Sequence, residues 1–134
     1  MITEFKEHIY RYTVIAVDPA VSPDPKADCT AIIVADVFDY GNERKLVIHP
    51  HPINVRMEFP ETIVTITNLH AQLKKSGRTV PEIFIEDNGS QKGFVQTLKR
   101  DNVPAVGVHS SVDKKARLRN AAFYIQNKQV LFPS

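Results

Sequence analysis

EIFIEDNGSQKGFVQTLKRDNVPAVGVH, residues 82–109, contains two strand-like runs on either side of a helix-like one. EIFIE (82–86) is a short apolar run of the kind a buried strand needs. Asn88-Gly89 makes a turn, and Ser90 is placed to cap a helix over 91–100. In that helix Phe94, Val95 and Leu98 fall on one face, because side chains three and four apart share a side. AVGVH (105–109) is apolar again and reads as the next strand. Strand, helix and strand in so short a stretch form a βαβ unit, whose two strands run parallel.

Upstream, TVIAV (13–17) is a β-branched run that stops at Asp18-Pro19. Three prolines over 19–29 mark a loop. TAIIVADVF (30–38) is a second strand, Tyr40-Gly41-Asn42 a turn, and KLVIHPHPINV (45–55) a third strand. Pro50 and Pro52 put that third strand at a sheet edge or make its end irregular, since proline cannot donate to a ladder. Short turns between these strands predict an antiparallel meander. From Pro60 to Ser76, Ile63, Ile66, His70 and Leu73 recur at helical spacing, with Pro60 in the first turn and Gly77 past the end. Downstream, 113–127 predicts a helix that turns Leu118, Ala122 and Ile125 inward, and 129–132 a last short strand. Residues 1–12 read as a lead-in. The order β-β-β-α-β-α-β-α-β predicts one α/β domain over 13–134, a mixed sheet with helices on its faces.

The chain has 134 residues, of which 43% are hydrophobic, enough for a core of its own. No apolar run approaches the ~20 residues that span a bilayer, and the mixed, polar start is unlike a signal peptide. Cys29 is the only cysteine, so an internal disulfide is excluded and a reducing cytoplasm is expected. Net charge is +2, unevenly spread. Residues 1–67 carry six Lys and Arg against ten Asp and Glu, and residues 68–134 carry eleven against five. The basic second half suits a polyanion. No GxxxxGK[ST] loop is present, so ATP hydrolysis is not expected.

Asp18 and Glu86 each end an apolar strand, where an uncompensated carboxylate is costly. If those strands are neighbours, the two carboxylates converge, and a cation between them relieves their repulsion. Mg²⁺ and Mn²⁺ favour oxygen ligands of this kind. Asp87 follows Glu86 directly and shares its metal only if the strand ends there. Asp28 precedes the second strand and can reach the same mouth, or serve as a turn residue. Lys114, Lys115, Arg117 and Arg119 open a helix at the end where the dipole disfavours positive charge, and an anionic partner offsets that. Asp113 as N-cap is the structural alternative. Lys92 is a further candidate for phosphate contact. His49 and His51 form a two-histidine pair with no third ligand nearby in sequence, and His109 reads as a rim residue.

VIAVDPA (14–20), DCTAIIVADV (28–37), IFIEDNGSQKGFVQTLKR (83–100) and DKKARLRNAAFYIQNKQVLFP (113–133) together resemble the nuclease domain of viral terminase large subunits, the DNA-packaging motors of tailed bacteriophages. The resemblance implies an RNase H-like fold with strand order 3-2-1-4-5 on a mixed five-stranded sheet. It implies a two-metal endonuclease, with Mg²⁺ or Mn²⁺, that cuts concatemeric duplex DNA in the bacterial cytoplasm and works with other terminase and portal components. By position, Asp18 and Glu86 match the family's metal carboxylates, and Asp28 a recurrent acid near the site. The basic residues 114–119 lie where DNA would run. Two cations roughly ~4 Å apart would clamp the scissile phosphate. The family places a third metal carboxylate on a later helix, and no acid follows Asp113. The domain is therefore expected to be C-terminally incomplete, or to substitute Asp28 or Asp87. Two alternatives stay open: a catalytically silent prophage remnant or DNA-binding module, and another RNase H-like nuclease such as a Holliday-junction resolvase.

Overall fold

The computed structural model describes residues 9–19, 29–86, 92–108 and 130–131. Its elements are β1 (Ile9–Asp18), β2 (Thr30–Tyr40), β3 (Glu43–Ile48), β4 (Ile53–Val55), α1 (Phe59–Lys75), β5 (Ile83–Glu86), α2 (Lys92–Arg100), β6 (Ala105–Val108) and β7 (Val130–Leu131). The strands make one sheet in the order β6-β5-β1-β2-β3-β7, and β4 also pairs with β2. β1, β2, β3 and β4 pair antiparallel; β1–β5, β5–β6 and β3–β7 are parallel. This is a mixed α/β sheet. The five strands of the expected sheet stand in the expected order, and β7, within the last short strand expected over 129–132, pairs outside β3.

Two elements differ from expectation. The third strand is broken: β3 and β4 are separate, each bonded to a different part of β2. His49-Pro50-His51-Pro52 causes the break, since the prolines lack ladder donors and His51 takes a left-handed φ of 63°. The first strand starts earlier, at Ile9. There the β1–β2 register shifts between Tyr10 and Tyr12, leaving Arg11 as the extra residue of a bulge. The bulge resets the alternation, so Tyr10 and Thr13, three apart, share a face and their hydroxyls meet at 2.7 Å.

One face of the sheet carries the core. Ile15 and Val17 of β1, Ile32 of β2, Ile83 and Ile85 of β5 and Ala105 of β6 pack with Ile66 and Leu73 of α1 and Phe94 and Leu98 of α2. The two helices meet edge to face through Phe59 and Phe94, ring centroids 5.0 Å apart. Both end by the same device. Gly77 (φ 92°) follows α1 and Asn102 (φ 63°) follows α2. The next amide reaches back into the last turn in each case, Arg78 N to Leu73 O at 3.0 Å and Val103 N to Leu98 O at 2.9 Å. The helix expected over 113–127 and the Ser90 cap lie outside the described residues.

Candidate functional site

β1 and β5 run side by side with Ile15 opposite Ile83, Ala16 opposite Phe84 and Val17 opposite Ile85. Asp18 and Glu86 are the next residue on each strand, and each is the last of its strand. Val17 and Ile85 are buried in the core, so alternation turns Asp18 and Glu86 to the opposite face. Neighbouring strands lie about 4.8 Å apart, which sets the scale of their approach. Asp18 is exposed and Glu86 half-buried. Two carboxylates at adjacent strand ends, open to solvent on one face, are a hard-oxygen donor pair that fits a divalent cation such as Mg²⁺ or Mn²⁺. In open α/β sheets, ligands gather at such carboxyl ends.

The register extends this row across the sheet. Glu86 faces Val108 of β6, Asp18 faces Ala31 of β2, and Ala31 faces Asn54 of β4. Val108 and Asn54 are exposed and Ala31 half-buried.

With this geometry the chain resembles a solved nuclease. The nuclease domain of human cytomegalovirus terminase, in a Mn-soaked structure, superposes with a TM-score of 0.58 at 11% identity. The match covers 97% of this chain and 66% of that one. The fold is that of a terminase nuclease domain. The chain spans about two thirds of the length of the terminase nuclease it matches. No protein-family model matches the sequence, and no curated protein does. Within this fold the two sequence-expected acids, Asp18 and Glu86, stand at the ends of adjacent parallel strands. Asp28, Asp87, His109, Lys114, Lys115, Arg117 and Arg119 lie outside the described residues, as does the side chain of Lys92. Among the described residues no three His, Cys, Asp or Glu side chains gather closely enough to hold a metal ion. No helix among them is long and apolar enough to cross a membrane.

The opposite end of the same strands holds a polar cluster that sequence reasoning missed. Thr13, fully buried, faces Asp36 across β1–β2 and donates its hydroxyl proton to Asp36 Oδ1 at 2.6 Å. With that proton committed, Tyr10 must donate to Thr13, while the Tyr10 oxygen accepts the Thr79 amide at 3.1 Å. Arg78 Nε donates to the same Asp36 oxygen at 3.2 Å, and its Nη1 to Ser76 Oγ at 3.1 Å. His49 Nε2 lies 2.8 Å from Asp36 Oδ2, close enough for an ion pair, but its N–H is not aligned for a hydrogen bond. A signal was present in TAIIVADVF: Asp36 is in phase with Ile32 and Val34, the core-facing positions. His49 thus lies against Asp36, while His51 is exposed; both line a cavity of about 110 Å³ between the β3–β4 break and α1.

His70, 8% exposed, lies on the inward face of α1 as expected. Burial, and secondarily the charge of Lys74, lowers its pKa from 6.5. It is a core histidine kept neutral, on the face of the sheet away from Asp18 and Glu86.

Proposed function

We propose that this chain is the metal-dependent endonuclease domain of a DNA-packaging terminase of a tailed bacteriophage, cutting concatemeric duplex DNA in the host cytoplasm. The observation that carries this is the placement of Asp18 and Glu86 at the ends of adjacent parallel strands, on one face, within a terminase nuclease fold. Asp18 and Glu86 hold Mg²⁺ or Mn²⁺, with Asp28 or Asp87 as candidates to complete the donor set. Bound there, such cations supply activation of water and charge neutralisation at the leaving oxygen. Lys92, Lys114, Lys115, Arg117 and Arg119 contact the DNA backbone, which gives affinity with little sequence choice. Other terminase and portal components are the expected partners.

The test is plasmid nicking by the purified chain in Mn²⁺, beside Asp18→Asn and Glu86→Gln. Cleavage by the parent that both substitutions abolish supports the assignment. Cleavage that survives both rules it out. A strong preference for four-way junctions over linear duplex would move the substrate to that of a resolvase.

A further inference from the structure

We propose that Asn54, with Arg56 following it, is a backbone-gripping lip of the same site that holds the DNA strand close to the phosphate being cut. The inference rests on Asp18 and Glu86 forming the cleavage site, and adds to it a positioning group on a strand that carries no acid.

Asn54 is the middle residue of β4, and it pairs with Ala31, which pairs with Asp18. Residues paired across strands share a face, so Asn54 projects from the same face as Asp18 and Glu86. Two strand spacings separate Asn54 from Asp18, about 10 Å at the backbone. Successive phosphates on one DNA strand stand further apart than the axial rise of about 3.4 Å, so this reach covers about one to two nucleotides. Among the described residues, the side chain that stands between them in the sheet is the methyl of Ala31, half-buried. On the other side of the carboxylates the row ends in Val108, an apolar residue that offers phosphate no donor. Among the described residues the row is therefore polar on the Asn54 side and apolar at Val108.

Asn54 is also out of place by local preference. Asparagine is depleted from strands, and in a three-residue strand it contributes neither branching nor core packing. Its amide group is exposed. Among the described strands β4 pairs with β2. An amide NH₂ donates to a phosphate oxygen without adding charge beside the cation pocket. Arg56, exposed and next in phase after Asn54, supplies the charge one step further out. Nearby β2 and the start of α1 contribute no competing cation.

The experiment pairs binding with turnover. Affinity for a labelled linear duplex is measured with Mn²⁺ in an Asp18→Asn background, so that cleavage is not needed for the readout. Asn54→Ala is expected to weaken binding about three- to tenfold. Arg56→Gln is expected to reduce the slope of log affinity against log salt by about one. In the otherwise native chain, Asn54→Ala should raise KM with kcat held within about twofold, and leave both the Mn²⁺ dependence and the melting temperature unchanged. Asn54→Gln, which keeps the amide, should recover part of the loss. Equal duplex affinity for Asn54→Ala and its parent overturns the inference, as does a loss that tracks a lowered melting temperature. Failure of the underlying site looks different: Asp18→Asn would then leave cleavage intact, whatever Asn54 does.

Discussion

Asp18 and Asp36 lie on neighbouring strands, five register steps apart, and their surroundings differ in kind. Asp36 is 8% exposed and held by the Thr13 hydroxyl and the Arg78 guanidinium, with His49 against its second oxygen. Asp18 ends its strand exposed to solvent, beside a second acid, Glu86, on the next strand. A carboxylate held by protein donors inside the fold ties strands together; one exposed at a strand end, next to a like charge, is placed to meet a cation. The same side chain thus serves cohesion at one end of the β1–β2 pair and, under the proposed function, chemistry at the other.

Substitutions at the two ends should separate accordingly. The largest effect is expected at the mouth: Asp18→Asn should lower Mn²⁺-dependent nicking by about 100-fold or more while leaving the urea midpoint unchanged or raised. At the far end, Asp36→Ala strands the buried Thr13 hydroxyl and the half-buried Arg78 charge. It should cost about 2 kcal/mol in urea unfolding, with nicking per folded molecule retained. An Asp36→Ala chain that folds normally but cannot cut would collapse the distinction. Gly77→Ala, at the same end, should cost about 1 kcal/mol; open space surrounds the position, so the penalty is that of φ at 92° alone. The smallest effect concerns pH. The folded chain holds the His70 pKa below 6.5, so on acidification through 6.5 the unfolded chain takes up a proton first. Stability from this group is full above pH 6.5 and declines as pH falls toward the lowered folded value. His70→Gln should flatten that part of the slope in urea titrations on either side of pH 6.5, without changing metal dependence.

The succession of strands and helices along the chain was legible because it depends on patterns that local sequence carries: apolar runs of strand length, a change of period at Pro60, and a βαβ unit over 82–109; the order of the strands within the sheet was an implication of the family resemblance. Asp18 and Glu86 were legible for the same reason, each ending an apolar run. What the sequence hid depends on register. Asn54 becomes interesting only when Ala31 is known to stand between it and Asp18. The Tyr10–Thr13 contact needs the bulge at Arg11, which reverses the face a simple alternation assigns. Asp36 was hidden differently: an acid inside an apolar run looks like a solvent-facing position until its phase with Ile32 and Val34 is taken seriously. The break between β3 and β4 was half visible, through Pro50 and Pro52, but not that both pieces would keep β2 as partner.

The register of β1 also sets the order in which the mouth assembles during folding. Its pairing with β2 joins residues close in sequence, Asp18 with Ala31, whereas its pairing with β5 joins Ile15 with Ile83. Loop-closure entropy in an unstructured chain makes the second event costlier by about 1.5 kcal/mol. The β1–β2 hairpin is therefore expected to form early and β5 to dock late, so that Asp18 and Glu86 meet only near the end. Their mutual repulsion then burdens the native state more than the barrier leading to it. In stopped-flow urea jumps, Glu86→Gln should slow unfolding while leaving the refolding rate nearly unchanged, and a faster refolding of similar size would mean that β5 docks first.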